Sequence, residues 1–314
     1  MNLLASLRYL VALSEHRHFA RAAEACHVTQ PALSNALRAL EQEFGTPIVR
    51  RGRTFAGLTE EGERILLTAR RMLREHELLQ QDLRGSAAQP QGRLRLGVVP
   101  TAVPIGARFA AALRARHPGI TPEVRSLSSP EIEAGLEDLT LDLGLGFAER
   151  VGGGTRFELL PQYEEHYFLL RGRADADSLV LGAPCSWEEA AARPLCLLSP
   201  EMHHRQIVQA AFLEAGAAIE PALETNSVLA LVLAVSAGSL AAVVPGALAA
   251  IAPRGVGLEA LPLVRPELAT QIAFITLARA APSRTLQAAQ QLARDPDWLR
   301  ELGEHAGRLA SFKR

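Results

Sequence analysis

Apolar residues return every three or four positions at the start of the chain, the spacing of helices that bury one face. Leu3, Leu4, Leu7, Leu10, Val11 and Leu13 mark one such helix, and residues 19–26 a second, short and rich in alanine. Thr29 offers an N-cap for a third, Pro31 falls in its first turn, where a missing N–H costs nothing, and Gly45 supplies a stop after Phe44. Residues 59–84 hold no proline and a single glycine, Gly62. Within them Ile65, Leu66, Ala69, Met72, Leu73, Leu79 and Leu83 form a stripe between arginines and glutamates. A lone helix of that length is marginal in water, so the stripe predicts a partner. A second copy of the same helix is preferred over packing onto its own chain.

Past residues 85–92 (GSAAQPQG), a small, polar, turn-prone linker, the pattern changes. Strands are expected at 94–99, 121–126 and 141–147, with helices at 106–116 and 131–139 between them. A second set follows. It has strands near 166–170, 195–198, 223 and 240–244. Its helices are one opened by the Ser186-x-x-Glu189 capping box, one at 201–215 and one at 228–235. Residues 271–277 make a late strand that returns to the first set. Alternation of this kind predicts parallel sheets with crossover helices, in two lobes joined by two crossing strands.

Composition narrows the function. The chain has 314 residues, enough for two or three domains, and 48% are hydrophobic, enough for real cores. Lys313 is its only lysine, so arginine abundance reflects composition first and function second. A net charge of −1 gives no global sign of nucleic-acid binding; that signal has to be local. Cys26, Cys185 and Cys196 are too few for a disulfide scaffold and suit a reducing cytoplasm. The N-terminus lacks the charged region and cleavage site of a signal peptide, and the apolar stretch 228–252 is broken by Ser236, Gly238, Ser239, Pro245 and Gly246, so no membrane span is expected.

The local signal is the run from Phe19 to Glu41. Two short helices separated by a few residues put the second across the first, and such a second helix enters the DNA major groove by its N-terminal end. Thr29, Gln30, Pro31, Ser34 and Asn35 lie at that end. Short polar side chains there reach base edges or phosphates. Arg21 and Arg38 flank them; Arg38 is equally placed to meet phosphate or to pair with Glu41. Arg50, Arg51 and Arg53 form the clearest basic cluster, placed for phosphates or the minor groove.

Phe19, Ala22-Ala23, Gln30-Pro31-Ala32, Ser34, Leu40-Glu41 and Gly45 together resemble the helix-turn-helix of LysR-type transcriptional regulators. Residues 47–53 resemble that family's wing, and Leu58-Thr59 with Gly62 the start of its linker helix. Val49, Phe44 and Cys26 depart from the family's usual residues, as apolar swaps. The resemblance implies an α/β multidomain protein: an N-terminal all-α winged helix-turn-helix (1–58), a linker dimerisation helix and hinge (59–92), and a C-terminal two-lobed, periplasmic-binding-protein-like effector domain (93–314). Lobe I is expected at about 93–162 and 266–295, lobe II at about 163–265, and a helical tail at 296–314. It further implies double-stranded promoter DNA and a second copy of the chain as partners, assembly to a tetramer, and RNA polymerase as a further contact.

Thr101, Ser128-Ser129 and Ser199 each follow a strand and precede a helix. Ligands of open α/β sheets bind at such places, where helix N-termini favour an anion. A small, anionic effector is therefore expected, with no other cofactor and no metal. The resemblance adds Phe147, His203 and His204 as lining residues, and Asn226 and Pro245, at the ends of neighbouring elements, are further candidates. The turn at 199–205 also resembles that of regulators near formate dehydrogenase or cyanate genes.

An enzyme is not expected: no Gly-x-Ser-x-Gly elbow, Walker loop or His-Glu-x-x-His occurs, and Gly144-x-Gly146 and Gly152-Gly153-Gly154 do not complete a nucleotide fingerprint. Two alternatives stay open: a redox sensor using Cys185 and Cys196, and a solute-binding protein without a DNA role.

Overall fold

The computed structural model describes residues 2–50, 55–84, 89–151, 156–251, 255–278 and 282–309, which gather into two compact units, the first made of residues up to 86 and the second of most of the rest. Arg51 and Arg53 of the expected wing, the Gly152–Gly154 run and the end of the tail lie outside the described residues.

The first unit holds α1 (Leu3–His16), α2 (Phe19–Ala25), α3 (Gln30–Phe44) and α4 (Glu60–Arg84). The caps anticipated from sequence form. Thr29 Oγ1 accepts from the Ala32 N–H, and Gly45 stops α3 in a left-handed conformation at φ 65°. Leu7, Leu10 and Leu13 from α1, Ala22 and Ala23 from α2, and Leu33, Leu37 and Leu40 from α3 close one core. The stripe of α4 divides along its length, its start packed on the core and its later residues exposed. Leu66 and Ala69 are buried in this core and Ile65 and Leu73 pack against it, whereas Leu67, Met72, Leu79 and Leu83 are exposed. Packing onto its own chain thus takes the first part of the stripe, and Met72, Leu79 and Leu83 leave its continuation exposed.

The second unit begins with β1 (Gly92–Val98), a 3-10 turn (Pro100–Ala102), α5 (Val103–Arg116), β2 (Ile120–Ser126), α6 (Ser129–Glu137), β3 (Leu143–Phe147) and α7 (Ala148–Val151). Then come β4 (Phe157–Gly172), β5 (Leu179–Leu181), β6 (Cys185–Ser186), α8 (Trp187–Ala191), β7 (Leu195–Leu198), α9 (His203–Glu214), β8 (Leu223–Thr225) and α10 (Val228–Ser236). The chain closes with β9 (Ala241–Pro245), α11 (Gly246–Ala249), β10 (Leu258–Val264), β11 (Ala269–Leu277), α12 (Arg284–Ala293) and α13 (Pro296–His305).

Strand order is β2-β1-β3-β11-β4-β9-β7-β8. β2, β1 and β3 are parallel, as are β9, β7 and β8, and β4 runs antiparallel to both β11 and β9. β4 is the hinge element: its first half pairs with β11 in lobe I, its second with β9 and β10 in lobe II. Only its second half is expected from sequence, because Pro161 and the polar run Glu164-Glu165-His166 interrupt the alternation. Proline is tolerated there because the register shifts at this point: Tyr163 faces Ile272 while Pro161 faces Ala273, leaving Gln162 as the bulged residue. Gln162 Oε1 then accepts from Trp298 Nε1 at 2.8 Å.

Alternation along the lobe II strands sorts side chains into two layers. Leu169, Leu195, Leu197 and Val243 meet Trp187, Val208 and Phe212 of α8 and α9. Leu170, Leu198, Ala242 and Val244 meet Leu231 and Val235 of α10. The expected helical tail ends earlier than anticipated, at His305; Ala306 is then buried in the lobe I core and Leu309 in the lobe II core.

Candidate functional site

In the first unit, the N-terminal end of α3 is presented to solvent. Thr29, Gln30, Pro31 and Asn35 are exposed and Ser34 is half-buried. Gln30 Nε2 donates to Ser34 Oγ at 3.0 Å, and Arg38 donates to Asn35 Oδ1 at 3.3 Å, so the polar residues form two pairs one turn apart on one helix. Arg21, exposed on α2, donates to the His16 carbonyl. The pairing of Arg38 with Glu41 does not form, because Glu41 is used otherwise. Its Oε1 accepts from the backbone N–H groups of Ile48 at 2.8 Å and Val49 at 3.1 Å.

That carboxylate fastens a hairpin base. Val49 and Leu58 form an antiparallel bridge, Arg50 N–H donates to the Gly57 carbonyl, and Arg50 Nε donates to the Leu58 carbonyl at 2.8 Å. Thr59 closes it, donating from its hydroxyl to the Pro47 carbonyl at 2.7 Å and accepting from the Gly62 N–H. A Cβ on Gly62 would collide with the Ile48 carbonyl, which gives that glycine its reason. The base of a wing therefore sits where the sequence places it, with Arg50 exposed on it.

In the second unit, a cleft of about 320 Å³ opens between the lobes. Thr101, Ser128, Ser129 and Phe147 line it from lobe I, and His203, His204 and Asn226 from lobe II. Ser199 and Pro245 are not among its lining residues. The Ser199 N–H instead donates to the Thr225 carbonyl, and Pro245 is buried as the residue before α11. The three hydroxyl-bearing turns differ from one another. Ser128 lies just before α6: its N–H and Oγ donate to Glu131 Oε2 at 2.8 and 2.7 Å, and these bonds hold the Glu131 carboxyl below its usual range. Ser129 is already inside the helix, and its buried Oγ has no partner. The 3-10 turn that carries Thr101 has no side-chain cap. Glu131 and Glu201, which also line the cleft, were not anticipated; the Ser-x-x-Glu spacing of a capping box was the available signal for Glu131.

His203 lies edge-on to Phe147, with ring centroids 4.8 Å apart, and His204 lies beside Tyr167 at 5.6 Å. Both nitrogens of His204 are buried without a partner, and burial, then His203, push it down to about 3, so it is neutral.

The thiols fit poorly with redox pairing. Cys185 and Cys196 are free and buried, and they belong to opposite layers of lobe II. Burial pushes both thiols up, away from the reactive thiolate. Among the described residues no group of three or more His, Cys, Asp or Glu is placed to hold a metal, and no helix is long and apolar enough to cross a membrane.

A helix-turn-helix with a hairpin wing base on one unit, and a two-lobed sheet domain with a polar cleft on the other, is the build of a ligand-responsive DNA-binding protein. The chain belongs to the LysR family: residues 4–63 match the bacterial regulatory helix-turn-helix of the lysR family, and residues 87–296 match the LysR substrate binding domain. It is 42% identical over 98 residues to the DNA-binding transcriptional dual regulator OxyR of Escherichia coli, a match covering 31% of this chain and 32% of that protein. It is 33% identical over 167 residues to a probable hydrogen peroxide-inducible genes activator of Mycobacterium xenopi, 53% of this chain and 87% of that protein. The match thus spans about a third of the length of the first of these relatives. Among solved structures, a full-length OxyR variant from Pseudomonas aeruginosa has a TM-score of 0.67 at 23% identity, covering 95% of this chain and 97% of that one. CbnR complexed with its target DNA has a TM-score of 0.66 at 21% identity, covering 92% and 99%. At these identities the likeness is one of fold.

Proposed function

We propose that the chain is a cytoplasmic transcriptional regulator, not an enzyme, whose sequence-specific hold on promoter DNA is altered by a small anionic effector bound between the lobes. The observation that carries this reading is the solvent-facing N-terminal end of α3, where Thr29, Gln30, Pro31, Ser34 and Asn35 lie together, with a hairpin base bearing Arg50 fastened to Glu41 near the other end of that helix. In this reading Gln30, Ser34 and Asn35 read base edges, and Arg21, Arg38, Arg50, Arg51 and Arg53 meet phosphate or the minor groove.

Two copies pair through α4. Its exposed Leu67 and Met72, together with Leu7 and Phe44, line a groove of about 530 Å³ on the first unit, which supports this pairing. Lobe II exposes Leu223, Leu229 and Leu233, which supports a second contact and hence a tetramer. The effector acts through unequal affinity for two arrangements of the lobes, which changes how the two winged units of a dimer meet successive major grooves. RNA polymerase is the further partner, and the resemblance of the 199–205 turn extends the proposal to a metabolic operon of the formate dehydrogenase or cyanate type. The names of the relatives suggest peroxide response; the placement of Cys185 and Cys196 gives that reading no support.

The test is a salt titration of the full chain on the DNA upstream of its own gene. Gln30→Ala is expected to narrow the gap between this DNA and random duplex by about 1–3 kcal/mol. Arg51→Ala is expected to weaken binding to both and to flatten the salt dependence. Unchanged discrimination in the first variant would remove Gln30 from base reading.

A further inference from the structure

The cleft is lined by carboxylates and by no fixed cation. Glu131 and Glu201 face it, and none of its lining residues is arginine or lysine. Arg205, next along α9, is turned away: it donates to the Leu198 carbonyl at 2.9 Å and pairs with Glu224. A fully anionic ligand therefore meets no countercharge there, although Ser129 Oγ, His203 Nε2 and both nitrogens of His204, on residues that line it, are buried without a hydrogen-bond partner. Polar groups of that kind are costly to leave unmade.

Resting on the anionic-effector reading above, we propose that the cleft takes a small monocarboxylate together with one proton from solvent, and that His204 carries the proton. The carboxylate then lies between an imidazolium N–H and the Ser129 hydroxyl, and the bound pair is neutral overall. The only bond formed is N–H on the imidazole.

His204 is the carrier rather than His203 because neither of its nitrogens has a partner, whereas His203 has one at Nδ1 and a carboxylate near Nε2. His203 Nδ1 lies 3.4 Å from Gln206 Oε1, and its Nε2 stands 3.5 Å from Glu149 on α7. His204 has neither kind of neighbour. From β4 it faces Tyr167, kept neutral by burial, with the buried Glu165 carboxyl on the same strand pushed up to about 8. From α9 it faces His203, which disfavours a charge on it. Glu131 on α6 and Glu201 before α9 are the carboxylates around the cleft. Burial, then His203, keep His204 neutral around neutral pH when no ligand is bound. A carboxylate brought into contact favours the charged form and raises its pKa. Between the free and the bound value, binding takes up one proton, so affinity falls as pH rises, by about tenfold per pH unit.

The experiment is calorimetric titration of the full chain with formate, acetate and propionate at about pH 6 and about pH 7, each in two buffers of different ionisation heat. Wild type is expected to bind at least one of these carboxylates with uptake of one proton and to lose about tenfold in affinity between the two pH values. His204→Gln is expected to bind weakly and without pH dependence, while its circular dichroism and unfolding midpoint stay close to wild type. Carboxylate binding without proton uptake would overturn the proposal and leave the anionic reading standing. Proton uptake that survives in His204→Gln would place the proton on the ligand and overturn the role of His204. Absence of carboxylate binding at either pH would overturn both.

Discussion

Trp187→Ala is expected to destabilise lobe II by about 3–5 kcal/mol, the range for removing a fully buried large aromatic ring. Trp187 is 0% exposed, lies edge-on to Phe212 with centroids 5.0 Å apart, and donates from Nε1 to the Pro266 carbonyl at 2.8 Å. The substitution removes the ring that joins α8 to α9, leaves a cavity among Leu195, Leu197 and Val208, and strips the Pro266 carbonyl of its donor. Such a loss is a large fraction of the roughly 5–15 kcal/mol that holds a typical domain. Trp187→Phe keeps most of the ring and loses mainly the hydrogen bond, so about 1–2 kcal/mol is expected. Urea unfolding followed by circular dichroism gives the magnitude, and fluorescence of Trp298, which belongs to the lobe I core, reports whether lobe I follows. A Trp187→Ala midpoint close to wild type would mean that the α8 and α9 layer contributes little to the fold.

Glu41→Ala is expected to release the wing. Ile48 and Val49 would both lose the acceptor for their N–H groups, and Ile48 is 0% exposed, so water does not readily replace it. An orphaned buried donor costs about 1–3 kcal/mol. Because the hairpin base carrying Arg50 is held at this point, the same change is expected to weaken DNA binding at least about tenfold, while α1, α2 and α3 remain folded on their apolar core. Glu41→Gln keeps one acceptor oxygen and is expected to restore most of the affinity. Wild-type affinity in Glu41→Ala would show that the hairpin is positioned by something other than this carboxylate.

Much of the DNA-binding unit was legible in the sequence because its signals are local. Thr29 caps the helix that follows it, and Gly45 ends the same helix through its own backbone freedom. The role of Glu41 was less visible, since its partners lie seven and eight residues away and nothing in helical spacing announces them. The packed and exposed parts of α4 could not be separated either: an apolar stripe shows that burial is needed, not which residues meet the core and which stay outside. In the second unit, alternation disclosed most of the parallel strands but hid the first half of β4, whose bulge at Gln162 breaks the period, and all of β10, where Glu259 and Pro262 interrupt it. Hydroxyl residues at strand ends gave the outline of the cleft, but not the carboxylates of Glu131 and Glu201 that also line it. Sequence position brings Ser128 and Ser129 to a helix start, but only the folded geometry shows that Glu131 already accepts from Ser128 and that Ser129 and His204 are left without partners.

The most direct test of the account is selection of duplexes from a random library by the full chain, followed by sequencing of the bound fraction. The account predicts enrichment of an interrupted dyad whose half-sites lie about one helical turn, or a multiple of it, apart, with the enrichment lost in Gln30→Ala. A bound pool no different from the starting library, at low salt and with metabolite extract present, would contradict the reading of this chain as a sequence-specific DNA-binding regulator.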